Sequence, residues 1–336
     1  MSANANTAGL DAASDRPYRK RRGYWARTAH ILSLIPVWLL LVPFVKLLEL
    51  FGRWPQAMSR GMSRMMSEFE GYEPTSHDVL VCSYFKSGTN WTMQMVTQIA
   101  RRGSAEFDHI HDLVPWIELP ARFQFAVPVS DERTWRESPT GLRAVKTHLP
   151  FDKLTYNDKA RYVWVVRDPK DVFVSGYRFV KSVMMGPMMP SVGHWLDMFL
   201  SDGAYLGSWA KHLDGGWRHR HEDNVLFLTY EGMKADLAGT VSRISAFMGV
   251  DLTTDELERA TERSSYAWMR EHSSQFDTRG LSPPWSTPRR AMVRRGETRS
   301  AGELLSQADQ QRIDDYYRGE LERLGSDFPY DTAFAK

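Results

Sequence analysis

The sequence predicts an α/β protein with a central parallel sheet flanked by helices. From residue 78 onward, short apolar runs alternate with segments of helical periodicity, and this alternation is typical of a parallel sheet. The 336 residues include 42% hydrophobic and 25% charged side chains. That composition is ordinary for a globular protein and excludes a disordered, collagen-like or coiled-coil chain.

Four strands carry this prediction, and the segments after them have helical patterns. The strands are expected at Val79–Cys82, Arg143–Thr147, Tyr162–Val166 and Val225–Thr229. After the first strand, residues 90–101 place Trp91, Met95, Val96 and Ile99 on one helical face. After the third strand, Asp168 is the expected N-cap and Pro169 the first helical residue. A last helix is expected from about Ala308 to Leu324.

Charge is distributed unevenly along the chain. The net formal charge is +2. The first 30 residues hold six basic and two acidic side chains, a net charge of +4, which leaves −2 for the remainder. A slightly negative body does not suit a nucleic-acid-binding protein, which needs a large basic field. Cys82 is the only cysteine, so neither an internal disulfide nor a cysteine-based metal site is possible, as in proteins of reducing compartments.

The chain divides into three parts. Residues 1–22 are expected to form a disordered basic tail, residues 23–70 a hydrophobic or amphipathic membrane-associating segment, and residues 71–330 one catalytic domain. The sequence shows no internal repeat and no clean linker within residues 70–330.

The second part contains the most hydrophobic stretch. Its uncharged run Ile31–Val45 has 15 residues, short of the 18 or more of a clean membrane span. Pro36 and Pro43 interrupt it, and Lys46 and Glu49 continue it as an amphipathic helix. Tryptophans typical of a membrane interface flank or lie in it, namely Trp25, Trp38 and Trp54. A shallow or hairpin insertion is favoured; a core helix on the enzyme body and a single-span anchor are the alternatives.

A polar loop follows the first strand, where the chain turns into a helix. It reads Ser83-Tyr-Phe-Lys-Ser-Gly-Thr-Asn-Trp91. Backbone N–H groups at such a turn, together with the helix dipole, favour an anion. Lys86 adds a positive charge, and Gly88 permits close approach to a phosphate. The spacing of a Walker A loop is absent.

Two further strands end in polar side chains at the same sheet edge. His148 follows the second strand, where a histidine can act as a general base near neutral pH. Arg167 follows the third strand, where a guanidinium can bind a phosphate through two hydrogen bonds. Each feature alone is common, but Lys86, His148 and Arg167 meeting at one edge predict a site for a phosphate-bearing ligand.

These segments together resemble the cytosolic-type sulfotransferase family. Residues 84–91 resemble its 5′-phosphosulfate loop, residues 165–175 its 3′-phosphate motif, and residues 146–150 its catalytic-histidine strand. The similarity runs from about Tyr72 to Tyr317. Further matching segments are Tyr205–Trp209, Leu228–Glu231, Ser264–Tyr266 with Met269, and Arg294–Gly296. The resemblance implies a P-loop-like three-layer fold and transfer of a sulfuryl group from 3′-phosphoadenosine 5′-phosphosulfate (PAPS), without a metal, to a hydroxyl or amine acceptor.

The resemblance also implies roles for individual residues. The expected catalytic residues are His148 as base, with Lys86 and Lys146. The expected PAPS-binding residues are Lys86, Ser87, Gly88, Thr89, Asn90, Trp91, Arg167, Ser175, Tyr230, Ser264, Tyr266, Met269, Arg294, Arg295 and Gly296. The expected walls of an apolar acceptor pocket are Phe85, Trp116, Phe123 and Phe125.

Several positions depart from the family pattern. Phe85 stands where proline is usual, and Asn90 replaces a common threonine. The Gly-Asp-Trp stretch after Gly296 and the dimer motif near residues 299–311 are not recognisable, so the sequence does not define an oligomeric state. The methionine-rich segment 184–189 suits either an adaptable lid over the acceptor or ordinary core packing.

The sequence therefore predicts a sulfotransferase bound to the cytoplasmic face of a membrane, acting on a small, hydrophobic or lipid-like hydroxyl acceptor. The alternative locations are a soluble cytoplasmic enzyme and a single-span anchored one. The alternative functions are a nucleotide-dependent kinase using the same crevice, and a membrane-associated binding protein that has lost catalysis.

Overall fold

The structure, a computed structural model, describes residues 35–50, 72–119, 125–201, 207–278, 292–293 and 296–334. Its strands are β1 Asp78–Ser83, β2 Arg143–Thr147, β3 Arg161–Val166 and β4 Val225–Thr229. They form one parallel sheet in the order β2-β1-β3-β4. The predicted α/β class and parallel sheet are confirmed.

Helices cover both faces of this sheet. Their bounds are α1 Val42–Leu50, α2 Thr89–Ala100, α3 Arg133–Arg136, α4 Pro169–Phe179, α5 Val192–Phe199, α6 Trp209–Arg218, α7 Tyr230–Ala235, α8 Leu237–Met248, α9 Thr254–Arg263, α10 Tyr266–Glu271, α11 Gln307–Leu324 and α12 Tyr330–Phe334. Short 3-10 turns lie at Ile110–Asp112, Phe151–Lys153, Gly186–Met188, Ser273–Phe276 and Ala301–Glu303. Two π-helical turns, Val37–Leu41 and Val180–Met185, precede α1 and follow α4.

The core consists of two layers, one on each face of the sheet. Alternate residues of a strand point to opposite faces, so Leu80 and Cys82 belong to one cluster and Val79 and Val81 to the other. The first cluster includes side chains of α4, α5, α6 and α11. The second includes side chains of α2, α8, α9 and α10. This is the expected three-layer arrangement, and it leaves the carboxyl edge of the sheet for a ligand.

The three helices whose starts the sequence predicts begin at or within one residue of the predicted positions. The side chain of Asp168 accepts a hydrogen bond from the Lys170 N–H, and Pro169 is the first residue of α4. The first predicted helix begins at Thr89, one residue earlier than expected, because Gly88 with φ 102° ends the loop. The last helix begins at Gln307, where a Ser306–Asp309 capping box satisfies the first N–H groups.

One edge of helix α1 packs on the body of the protein. Val45 packs against Met188, with Val42 and Met185 beside them. Glu49 is 6% exposed and accepts hydrogen bonds from the Ser191 N–H at 2.8 Å and from His194 Nδ1 at 2.9 Å. We call this contact the Glu49 clasp. It fixes α1 to the chain just before α5.

The other side of this N-terminal helical segment is apolar and exposed. Large side chains with 41–68% exposure are Ile35, Trp38, Leu39, Leu40, Leu41, Phe44 and Leu47. No helix within the described ranges is long and apolar enough to cross a bilayer. The remainder of the predicted membrane-associating segment and the predicted basic tail lie outside the described residues.

The methionine-rich segment 184–189 is divided between the body and α1. Met188 and Met189 are buried. Met185 is partly buried and packs both on the main core and on the small cluster beneath α1. The segment therefore joins the N-terminal helix to the end of α4.

Candidate active site

The loop between β1 and α2 has the shape of an anion cradle. Lys86 and Gly88 have positive φ angles of 64° and 102°, and a series of such residues turns consecutive N–H groups inward. A Cβ atom on Gly88 would lie 2.8 Å from Cδ2 of Tyr230. Only glycine therefore fits both the backbone angle and the space. The cradle opens at the N-terminus of α2, where the helix dipole favours negative charge.

Buried polar atoms around this cradle have no hydrogen-bond partner among the described residues. They are Oγ of Ser87, Oγ of Ser264 and Nε of Arg167. The residues are at most 7% exposed. An unpaired buried polar group costs about 1–3 kcal/mol, so these atoms need a polar ligand. The arrangement fits an anionic nucleotide.

An aromatic pair lies beside the cradle. The rings of Trp91 and Tyr230 meet edge to face with centroids 5.3 Å apart. Trp91 Nε1 donates to the carbonyl oxygen of Ser264 at 2.7 Å. The structure thus brings together three residues expected to surround the nucleotide base, from α2, α7 and the turn before α10.

Arg167 connects the cradle to the C-terminal part of the chain. Its guanidinium lies 4.2 Å above the Tyr230 ring and donates to the carbonyl oxygens of Lys86 at 3.2 Å and Glu297 at 2.7 Å. It also approaches Asp171 to 3.6 Å. Arg167 and Asp171 therefore form a buried ion pair.

Asp171 holds the segment that follows Gly296. Its carboxylate accepts hydrogen bonds from the N–H groups of Arg299 at 2.9 Å and Ser300 at 2.7 Å. Tyr266 packs on Gly296, where a Cβ atom would lie 2.8 Å from the tyrosine ring. Tyr266 and Gly296 are thus neighbours, as the predicted nucleotide site requires.

The expected base, His148, is buried at the carboxyl end of β2. Its Nδ1 lies 2.7 Å from the carbonyl oxygen of Ser83. A carbonyl only accepts, so Nδ1 carries the proton and Nε2 carries the lone pair. Burial and the nearby Lys146 ammonium hold the pKa of His148 well below its usual value. The imidazole is therefore neutral at physiological pH and able to take a proton.

Aromatic rings flank His148 on two sides. Phe85 and Trp116 approach it edge to face at 6.4 and 5.6 Å. Lys86 Nζ lies 4.3 Å from the centre of the Phe179 ring, and Phe179 contacts Phe85 at 5.4 Å. The base and the cradle lysine therefore both border an apolar wall.

Lys146 packs against the same group of aromatic side chains. Its Nζ is 3.3 Å from the centre of the Trp116 ring, and the residue is 4% exposed. Burial lowers the pKa of Lys146 to about 7 although the charge of Glu118 opposes that shift. Phe125 is one ring further away, packed on His111 at 4.9 Å and on Trp116 at 6.3 Å.

The remaining expected residues occupy varied positions. Thr89 Oγ1 contacts Ser83 Oγ at 2.6 Å, and Asn90 Nδ2 donates to the Phe276 carbonyl. Ser175 is half-buried on α4, and Met269 is buried in the core below Trp91. The positions Phe123, Tyr205, Arg294 and Arg295 lie outside the described residues.

Two residues at this site were not singled out from the sequence. Phe179 ends α4 and packs on Phe85, and Glu118 contacts the backbone of His148. No periodic pattern marks the segment of Glu118 as a strand, so the sequence offers no signal for this residue.

The site combines an anion cradle, a neutral histidine and buried lysines at one edge of the sheet. Together with the fold, this combination is typical of a group-transfer enzyme. Sequence comparison names the family. Residues 76–325 match the family described as Sulfotransferase domain. Sulfotransferase 2A1 of Rattus norvegicus is 33% identical over 201 residues, covering 58% of this chain and 67% of that protein. Amine sulfotransferase of Oryctolagus cuniculus is 31% identical over 214 residues, covering 62% and 67%.

Solved structures share the fold. Retinol dehydratase in complex with androsterone and inactive cofactor PAP has a TM-score of 0.62 and 19% identity over 81% of this chain and 88% of its own. Mouse sulfotransferase SULT7A1 complexed with PAP has a TM-score of 0.57 and 22% identity over 77% and 88%. The chain belongs to the sulfotransferase family, and the resemblance and enzyme class predicted from its motifs are confirmed.

Proposed function

We propose that this sulfotransferase moves the sulfuryl group of PAPS to the hydroxyl of a small, hydrophobic or lipid-like acceptor. The observation that carries the proposal is His148, whose Nδ1 is held by the Ser83 carbonyl at 2.7 Å while aromatic rings flank its imidazole. A neutral imidazole beside an anion cradle and an apolar wall suits proton removal from a hydroxyl in a site that excludes water.

The donor nucleotide fits the cradle through charge and hydrogen bonds. The N–H groups of Gly88 and Thr89, the Lys86 ammonium and Ser87 Oγ would hold the 5′-phosphosulfate. Arg167, whose Nε has no partner within the described part of the chain, and the segment beginning at Gly296 would hold the 3′-phosphate. Trp91 and Tyr230 would flank the adenine. PAPS supplies an activated sulfuryl group, which is transferred without a change of oxidation state.

In the proposed step, Nε2 of His148 takes the proton of the acceptor hydroxyl while the hydroxyl oxygen forms a bond to the sulfur of PAPS. The bond between sulfur and the 5′-phosphate oxygen breaks, and its electron pair stays on that oxygen. Lys86 and Lys146 stabilise the negative charge that grows there and on the sulfuryl oxygens. The products are a sulfate ester and adenosine 3′,5′-bisphosphate (PAP), and the proton remains on His148 until solvent removes it.

The side chains beyond His148 support an apolar acceptor. Phe85, Trp116 and Phe179 present rings toward the base and the cradle lysine. Met185, an adaptable side chain, links this region to the segment under α1. A hydrocarbon or steroid-like body would replace water against these surfaces, while its hydroxyl meets Nε2.

We further propose that the enzyme binds the cytoplasmic face of a membrane through residues 23–51. The support is the row of exposed apolar side chains from Ile35 to Leu47, preceded in sequence by a basic cluster between Arg16 and Arg27. An apolar face beside cationic side chains matches the chemistry of an anionic lipid surface. An enzyme bound at this surface would have direct access to a lipid-like acceptor in the membrane.

The test is transfer of radiolabel from PAPS to a lipid extract and a panel of phenols, steroids and long-chain alcohols. His148→Ala should lower kcat by roughly 10²–10⁴-fold, with little change in affinity for PAP. His77→Ala is the matched control, since His77 lies at the opposite end of the sheet against Trp135. Normal turnover by His148→Ala would show that His148 is not the base. If no acceptor were sulfonated, the result would favour a binding protein without catalytic activity.

A further inference from the structure

A short extended segment runs beside β2 at the active-site end. The Lys146 N–H donates to the Pro115 carbonyl at 2.8 Å, and the Ile117 N–H donates to the Lys146 carbonyl at 3.2 Å. Trp116 therefore pairs with Lys146 in parallel register. Because extended side chains repeat every second residue, Glu118 lies beside His148 just as Trp116 lies beside Lys146.

The carboxylate of Glu118 is held at the backbone of the base. The residue is 2% exposed, and its Oε1 accepts a short hydrogen bond from the His148 N–H. Its Oε2 is buried and has no hydrogen-bond partner among the described residues. A buried carboxylate with one unused oxygen is costly unless charge or a ligand compensates for it.

The charge that favours an ionised Glu118 is the ammonium of Lys146, on the strand that the Trp116 segment pairs with. Burial raises the pKa of Glu118 to about 7, although hydrogen bonds from the His148 N–H, its own N–H and the Thr147 hydroxyl, and the Lys146 charge, oppose this rise. Burial likewise lowers the pKa of Lys146 to about 7, opposed by Glu118 and assisted by Lys86. The titratable groups around this pair are Cys82, Lys86, His111 and His148. Of the groups whose charge acts on Lys146, Glu118 favours the charged form and Lys86 opposes it.

We propose that Glu118 is a positioning residue for sulfuryl transfer, which fixes the end of β2 that presents His148 and favours the cationic form of Lys146 beside the reacting groups. This inference rests on the proposed function, because it assigns roles through His148 and Lys146. Glu118 itself touches neither donor nor acceptor in this scheme. Its effect is electrostatic and passes through a neighbouring lysine and a backbone amide.

The diagnostic variant is Glu118→Gln, which retains an oxygen for the His148 N–H and removes the charge. Without its opposite charge, Lys146 should lose its proton at lower pH. The alkaline limb of the kcat–pH profile should then move to lower pH by about one unit or more, while affinity for PAP stays within about twofold. A purely structural residue would lower activity without moving this limb.

Asp78→Asn is the matched control. Asp78 is a fully buried carboxylate at the other end of β1, paired with Arg143 at 2.7 Å. Its replacement should lower the melting temperature and leave the kcat–pH profile in place. If Glu118→Gln behaves in the same way, or keeps the wild-type alkaline limb, the positioning role is wrong.

A measurement independent of turnover separates this inference from the proposed reaction. The ¹⁵N resonance of the Lys146 side chain can be titrated in the wild-type protein and in Glu118→Gln, with Lys146→Met for assignment. A lower Lys146 pKa in the variant supports the electrostatic role even if no acceptor is found. An unchanged Lys146 titration overturns it even if PAPS-dependent turnover is present.

Discussion

The guanidinium of Arg167 lies between two backbone segments that are far apart in sequence. It donates to a carbonyl of the phosphosulfate loop and to the carbonyl of Glu297, yet its buried Nε has no partner among the described residues. One side chain thus both joins the two halves of the nucleotide site and keeps a donor for a ligand. Its two hydrogen bonds go to backbone carbonyls, and its guanidinium also lies near the Asp171 carboxylate.

Replacing Arg167 with alanine should weaken binding of PAP much more than that of adenosine 5′-phosphosulfate, which lacks the 3′-phosphate. Charge-assisted hydrogen bonds contribute on the order of 1.5–3 kcal/mol, a loss of roughly 10- to 150-fold in affinity. Isothermal calorimetry with both nucleotides measures the difference. Equal losses for the two ligands would show that Arg167 does not contact the 3′ end.

His212 is another buried histidine of the protein, only 2% exposed. Both ring nitrogens are buried and without hydrogen-bond partners among the described residues, and the ring packs on Trp164 at 4.6 Å. Burial lowers its pKa to about 3. The unfolded chain binds this proton below about pH 6.5 whereas the folded protein does not, so His212 destabilises the fold as the pH decreases from that value toward 3.

His212→Phe should remove this pH-dependent cost. Relative to wild type, the variant should gain about 1.4 kcal/mol more in free energy of unfolding at pH 5.5 than at pH 7.5. Urea denaturation at the two pH values measures this, and any packing cost cancels in the comparison. His212→Leu should show the same pH dependence. A gain independent of pH in both variants would contradict the assignment.

At the scale of elements, the strands were the most predictable features. The predicted bounds of β2 and β4 coincide with those observed, and β1 and β3 differ by one or two terminal residues. The central residues of β1, β3 and β4 are apolar and buried between the helical layers, so these three strands are apolar runs between polar turns. In β2 the apolar pair Ala144 and Val145 lies between polar residues. The same logic placed Lys86, His148 and Arg167 at one edge, because parallel strands all end there.

Contacts without a local pattern could not be predicted. Glu118 lies in a segment that pairs with β2 through a single bridge, too short for any periodicity. The Glu49 clasp joins residues more than 140 positions apart. The π-helical turn at Val180–Met185 has no sequence signature that separates it from an ordinary continuation of α4. Such features depend on tertiary packing rather than on propensity.

The Glu49 clasp predicts how α1 is attached. Partial burial acts to raise the pKa of Glu49, but hydrogen bonds from Lys46, Ser191 and His194 outweigh burial and lower it to about 2. The carboxylate is therefore charged at any physiological pH. Glu49→Ala should release α1, seen as faster amide hydrogen exchange in residues 42–50. Glu132→Ala, which removes an exposed ion pair with Arg136, should leave that exchange unchanged.

For the whole molecule, deletion of residues 1–55 should separate membrane binding from catalysis. The full-length chain should co-sediment with phosphatidylserine-containing vesicles and less so as salt increases, because its basic cluster is screened. The truncated enzyme should stay in solution and still sulfonate a water-soluble acceptor, since β1 begins only at Asp78.

Phosphatidylcholine vesicles are the control for the charge contribution. A full-length protein that remains in the supernatant with every vesicle would overturn membrane association and leave the enzymatic proposal intact. A truncated protein that no longer binds PAP would instead show that the first 55 residues are part of the catalytic body.

During synthesis, helix α1 and the nucleotide site are completed at different times. Helix α1 leaves the ribosome about 140 residues before Ser191 and His194, which clasp it. The donor site is completed much later, when Glu297 reaches Arg167 and when Arg299 and Ser300 reach Asp171. A nascent chain therefore exposes the apolar face of α1 before it can bind nucleotide, so the proposed membrane binding does not depend on a completed nucleotide site.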